Sequence, residues 1–240
     1  MVEPAMSTSR HRSASSSPIR SPVNAAVRNS AASCGDDELQ HATLMGTASW
    51  VLLHQARMPE AEQVALKAAE ATEPRLSEAP PEHLTVWGGL LLWAGAAAAA
   101  AGKGDAALGH IGLAQAAAAR MGADRHDYQM SMGPVQVAMQ VTHACAVLGR
   151  PGQALKAARD VHPSALLHIS HGAHLLDVAQ ALHEARRRKQ AAQVLRQAHD
   201  GRAEWFRHQG MARVLVRDLV EHERHLSPDL RVLARSIGMN

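Results

Sequence analysis

Aromatic residues are nearly absent. The 240 residues include four Trp, one Tyr and one Phe, whereas strands rely on Val, Ile, Tyr and Phe to pack their faces. So little strand-forming material argues against a sheet-built fold. Cysteine is just as sparse: Cys34 sits in a polar N-terminal stretch and Cys145 inside an apolar periodic segment. That excludes a disulfide framework, no CxxC pair points to zinc, and a reducing, cytoplasmic setting is expected. A surplus of one charge is also lacking. The formal charge is +3, but in residues 1–35 Arg10, Arg12, Arg20 and Arg28 stand against Glu3 alone. Removing these from the totals of 25 basic and 22 acidic residues leaves 21 of each. A neutral body excludes a strongly basic nucleic-acid-binding domain.

What is present is alanine and helical periodicity. Residues 1–35, rich in Ser, Arg and Pro, have no apolar period and are expected to be a disordered leader. Their acid-poor composition is also that of an organellar transit peptide, though without a clean amphipathic face, and there is no apolar core of a secretory signal. From residue 36 to 240 the pattern is helical, broken by HQARMPEA, AGKGDAA, MGADRHD, LGRPGQA, DVHPSA, ARRRKQA and LSPD. The intervening segments have the length of packed helices joined by short turns. The uncharged run LTVWGGLLLWAGAAAAAAG, Leu84 to Gly102, is long enough to span a bilayer. Eleven of its 19 residues are Ala or Gly, which contribute little to bilayer transfer, so a helix buried between hairpins is expected in place of a membrane span.

A repeat runs through the breaks. Ala61, Ala107, Ala154 and Ala191 each open a second helix; Ser49, Gly95, Thr142 and Ala179 lie twelve positions earlier, and Ala68, Ala114, Val161 and Ala198 seven later. Small residues at such intervals let paired helices cross closely, as in tetratricopeptide repeats. The expected fold is therefore all-α, a tetratricopeptide-like α-solenoid of antiparallel helical hairpins over residues 36–240, with irregular repeats.

Two segments carry a resemblance. GPVQVAMQVTHACAVLGRPGQALKAARDVHPSAL, Gly133 to Leu166, and VLVRDLVEHERHLSPDLRVLARSIGMN, Val214 to Asn240, are similar to the C-terminal tetratricopeptide-like regions of actinobacterial helix-turn-helix transcriptional regulators of the xenobiotic-response-element type. With the Ala-rich hairpins, the resemblance covers roughly residues 40 to 240. It implies a sensor module of a transcriptional regulator. The helix-turn-helix domain with which such regulators begin is not expected here, because the leader has no apolar pattern for a recognition helix. A sensor-only relative, a truncated remnant and a start lying upstream all fit. The alternative is a general tetratricopeptide interaction scaffold unrelated to transcription.

On such a solenoid the first helix of each pair lines the concave groove. Gln136, Gln140 and His143 share one helix face, Gln180 and His183 fall at comparable positions in the next repeat, and Trp50 does so in the first. These six are the candidate groove residues, for a peptide, a small signal molecule or a protein; a homodimer is a further expectation. Alternatively, they are ordinary solvated positions on a curved surface. His168, His171 and His174 are spaced by three, but no carboxylate or cysteine completes a metal set. ARRRKQ is a basic turn without interleaved aromatics, and Met130 and Met132 flank Ser131 either as an adaptable surface or as core filling. GKGD lacks the spacing of a phosphate loop. No cofactor, metal, catalytic constellation, direct nucleic-acid contact or membrane partner is expected.

Overall fold

The computed structural model describes residues 37–223 and 225–239; the leader expected over residues 1–35 lies outside them. Helices fill most of that span: α1 Glu38–His54, α2 Met58–Ala71, α3 Pro81–Ala100, α4 Gly104–Met121, α5 Pro134–Val147, α6 Pro151–Ala157, α7 His168–Glu184, α8 Arg188–His199, the short α9 Ala203–Arg207, α10 Gly210–Glu221 and α11 Pro228–Ser236. The expected all-α class describes this content. One element departs from it. The break at MGADRHD does not simply turn but runs into an antiparallel hairpin of β1 (Arg125–Asp127) and β2 (Met130–Met132). Its two methionines are core filling: both are buried, and Met130 packs on Gly46 and Gly89 while Met132 packs on Gly88. The glycine notches on α1 and α3 accept flexible thioether chains that a Cβ would displace.

The helices pack in a regular order. α1 contacts α2 and α3, α3 contacts α4 and α5, and α5 contacts α6 and α7, while α2, α4 and α6 each contact the helix that follows. Four successive pairs result, with their first helices α1, α3, α5 and α7 side by side. α3 is enclosed by α1, α2, α4, α5 and the hairpin, which explains its apolar surface on every side. It is long and apolar enough to cross a membrane, yet 83% of its apolar stretch is buried by these neighbours. The repeat positions read from the sequence are all buried. At two of them the close crossing is visible directly: the Ser49 hydroxyl donates to the Ala61 carbonyl at 2.8 Å, and a Cβ on Gly95 would stand 3.2 Å from the Ala107 carbonyl.

The four pairs share one turn. Ala56, Gly102, Gly149 and Arg186 have φ of 58°, 75°, 66° and 58°. In each turn the next residue's N–H donates to the carbonyl five positions back: Arg57 to Leu52, Lys103 to Ala98, Arg150 to Cys145 and Arg187 to Leu182. This is the left-handed helix stop that satisfies orphan carbonyls. The next helix then starts at once, placing the anchor alanine four residues on, its N–H bonded to the basic residue's carbonyl. Two of the four turns lack the glycine that favours positive φ. Ala56→Gly is expected to stabilise the protein by up to about 1 kcal/mol, since left-handed φ costs a Cβ-bearing residue roughly 1–2 kcal/mol and glycine's extra chain entropy offsets part of it. A urea midpoint that rises with unchanged slope checks this.

Basic turn residues also tie neighbouring pairs. Lys103 Nζ donates to Glu62 Oε2 at 2.8 Å, with His110 Nε2 3.3 Å from Oε1. Burial pushes the Glu62 carboxyl up, but these two partners bring it below its ordinary value. The lysine of GKGD is thus engaged with a carboxylate. The apolar interior has two large clusters, one built from α1 to α5 and β2 and the other from α7 to α11, and a small one of Leu52, Ala61 and Ala97 among α1, α2 and α3. Between the two large clusters lies a seam of Cys145, Ala146, Ala154 and Ala181.

Candidate functional site

Because α1, α3, α5 and α7 stand side by side, one face of each contributes to a single open groove of about 520 Å³. Trp50, Leu53 and His54 come from α1; Trp93, Ala96 and Ala100 from α3; Met139, Gln140, His143 and Val147 from α5; Ile169, Ser170, Ala173, His174 and Asp177 from α7. The spacings of three, four and eight are those of one helical face. Ala96, Ala100 and Ala173 leave the space that the larger side chains surround. The apolar walls are unusually open to water: Trp50 is 43% exposed and Ile169 64%. Trp50 is held by its own helix, its ring 4.1 Å from that of His54.

Polar groups converge on the same face. His143 Nδ1 lies 3.0 Å from Asp177 Oδ1, joining α5 to α7. Asp177 is buried and the His143 side chain is 34% exposed. Burial opposes a charge on His143, but the Asp177 carboxylate, by its charge and its hydrogen bond, raises the imidazole above its ordinary value of 6.5. His174 behaves oppositely, pushed down by burial and by His171, with Asp177 opposing. Its Nδ1 and Gln140 Oε1 are buried without a hydrogen-bond partner among the described residues, and such groups cost free energy unless something satisfies them. The paired histidine has a measurable consequence. A raised folded-state pKa means that the pair's stabilisation is complete below pH 6.5 and is lost as pH rises through the raised value. Asp177→Asn is therefore expected to lower the His143 titration midpoint in NMR, and its stability deficit against the parent protein should shrink from pH 6 to pH 9.

Of the six residues expected to share a groove, Trp50, Gln140 and His143 meet in this one. Gln136 is buried in the first turn of α5, its backbone N–H donating to Asp124 Oδ1 at 3.1 Å. Gln180 donates through Nε2 to the Ala146 carbonyl and to Glu184, and His183 Nε2 sits 3.1 Å from Asp218 Oδ2; neither lines the cavity. Gln180 Oε1 and His183 Nδ1 are, like Gln140, buried without a partner among the described residues. Asp177, Trp93 and Ile169 carry no expectation in the sequence reading, and His174, weighed there only as part of a metal cluster, lines the groove. A signal for Asp177 existed: it is a lone carboxylate between Leu175, Leu176, Val178 and Ala179, where a charge needs a partner.

No protein-family model, curated protein or solved structure matches the chain. The site is therefore read from its own chemistry. Among the described residues no group of three or more His, Cys, Asp or Glu is placed to hold a metal ion. In the HISHGAH cluster, His171 Nδ1 faces the Arg202 guanidinium at 3.0 Å, and Arg202 Nε donates to the His168 carbonyl. Two other cavities of similar size exist. One of about 550 Å³ opens between the start of α1 and the end of α2. Another of about 590 Å³ lies among α4, α5 and α6, where burial pushes the Cys145 thiol up and its Sγ lies 3.6 Å from Gln153 Oε1. The groove on the first helices is distinguished from both by its exposed indole and its unpartnered buried polar atoms.

Proposed function

We propose that this chain is a tetratricopeptide-like helical-repeat module of the regulatory kind. In this reading it binds a peptide, a small signal molecule or a protein in the groove of its first helices, acts in the cytoplasm and makes no direct contact with nucleic acid. The observation that carries the reading is the groove itself, an apolar, aromatic-walled cleft fed by four consecutive first helices with a few convergent polar groups. A cleft of this size, with apolar walls and few polar groups to fix orientation, suits a small ligand or a short peptide. Support for the repeat type comes from cross-helix hydrogen bonds between residues 34 apart: His143 with Asp177, and Ala146 with Gln180. That interval is the length of a tetratricopeptide unit. The regulatory assignment rests on the resemblance of residues 133–166 and 214–240 to the sensor halves of helix-turn-helix regulators. A ligand that prefers one curvature of the stacked pairs would shift the population toward it, and a module linked to a DNA reader would transmit that shift.

Native mass spectrometry of the protein purified from its source cells tests the reading. A bound species is expected on the parent protein and not on Trp50→Ala, with equal helix content by circular dichroism. Retention of the species by Trp50→Ala would move the site elsewhere, and sequence-selective binding in an electrophoretic shift assay would overturn the absence of nucleic-acid contact.

A further inference from the structure

The groove's polar groups narrow what it can hold, an inference that rests on the groove reading above and deepens it. We infer that the groove binds an apolar ligand bearing a primary ammonium group, seated between the Trp50 and Trp93 indoles and directed at the Asp177 carboxylate. Three observations support this. First, no lysine or arginine stands among the described residues that line the groove. A phosphate or carboxylate ligand would find no guanidinium fork or lysine ammonium there to replace its water. Second, the wall carries one carboxylate, Asp177, buried, together with an amide oxygen, Gln140 Oε1, that receives no hydrogen bond among the described residues. Both accept, and an ammonium has three donors and no acceptor. Third, the apolar walls include two indoles, one of them 43% exposed, and indole is the best of the aromatic faces for a cation. His174, buried and held toward its neutral form, offers a further acceptor at Nδ1 in the tautomer protonated at Nε2.

His143 Nδ1 engages the Asp177 carboxylate at 3.0 Å. The titratable groups facing it are His54 from α1 and His174 and Asp177 from α7, with His171 behind His174; α3 presents Trp93, Ala96 and Ala100. A ligand ammonium that takes the carboxylate replaces one cation by another. The imidazolium then gives its proton to solvent, and the charge balance at Asp177 is preserved. Binding coupled to the release of a proton strengthens as pH rises through the histidine's titration, by up to about tenfold per pH unit. An anionic ligand would show the opposite sign.

The test uses the full chain and four probes: 2-phenylethylamine, 3-phenylpropanoate, dileucine amide with a free amino terminus, and its N-acetylated form, followed by tryptophan quenching and calorimetry. The free amines are expected to bind about tenfold or more tightly than their carboxylate or acetylated counterparts, the margin of a charge-assisted hydrogen bond. The affinity of 2-phenylethylamine, whose alkyl ammonium stays charged over this range, should rise from pH 6 to pH 8, and Asp177→Asn should erase the preference for both free amines. Binding of 2-phenylethylamine alone identifies a small free amine as the source of the ammonium, and binding of dileucine amide alone identifies a peptide's amino terminus. The wild-type series and its pH arm need no variant. Equal binding of all four probes, weakened throughout by Trp50→Ala, overturns the ammonium inference and leaves the groove standing. If no probe binds, or Trp50→Ala changes none of them, the groove reading falls with it.

Discussion

Gly133→Ala is expected to cost about 3–5 kcal/mol and to lower the melting temperature by roughly 10 °C, the largest effect of any glycine substitution among the described residues. Gly133 has φ +152° and ψ −175°, a region that is open essentially to glycine alone and costs other residues about 1–3 kcal/mol. A Cβ there would stand 2.4 Å from Asp124 Cα and 2.8 Å from the Ala123 carbonyl. These are backbone atoms that no rotamer change can move aside, so overpacking adds about 1–3 kcal/mol. The close approach has a purpose. It lets the Asp124 carboxylate reach over the start of α5 and accept from the Val135 and Gln136 amides at 3.2 and 3.1 Å, capping the helix from eleven residues upstream. α5 carries Gln140 and His143 into the groove, so the same turn that stabilises the helix fixes the site. Gly122→Ala is the control: φ there is +70° and nothing lies within 4 Å of the added Cβ, so about 1 kcal/mol is expected. Equal losses in the two variants, measured by urea unfolding, would sink the packing argument.

Much of this fold was legible because its contacts are local and repeated. The anchor alanines and their small partners sit at fixed intervals, and each is buried where the period places it. The hairpin was not legible. Its turn residues Tyr128 and Gln129 have φ of 49° and 61°, a conformation normally announced by Asn-Gly or Asp-Gly. Tertiary contacts hold it instead: the methionines in the glycine notches, and Asp127 accepting from the Thr85 hydroxyl of α3. The third repeat was half legible. Ala154 opens α6 as expected, but the helix ends at Ala157 and passes through a short 3-10 turn, leaving Val161 buried outside any helix. In the groove, helical spacing found Gln140 and His143 on one face. It could not find Asp177, which belongs to another helix 34 residues on. Nor could it separate Gln180 and His183 from the groove, because the partners that engage them, the Ala146 carbonyl and Asp218, come from other helices.

Phe206→Ala is expected to cost about 3–5 kcal/mol, the range for removing a fully buried aromatic ring, and to do so unevenly along the chain. Phe206 is wholly inaccessible and packs edge-on against His199, ring centres 5.5 Å apart. It belongs to the cluster of α7 to α11, which meets the cluster of α1 to α5 across the small-residue seam at Cys145, Ala146, Ala154 and Ala181 and through the His143–Asp177 and Gln180–Ala146 hydrogen bonds. Stacked helical pairs gain stability chiefly from nearest neighbours, so a loss in one cluster is transmitted weakly across so thin a contact. Hydrogen exchange read by mass spectrometry should show protection lost in α7 to α11 and retained in α2 to α4. Uniform loss along the chain would mean that the two clusters unfold as one. The groove draws its fourth wall, Ile169, His174 and Asp177, from α7. The same variant should therefore bind a groove ligand more weakly even though Trp50 and Trp93 remain folded in place. Binding unchanged in the face of lost α7 protection would show that the first three walls suffice, and would take Asp177 out of the site.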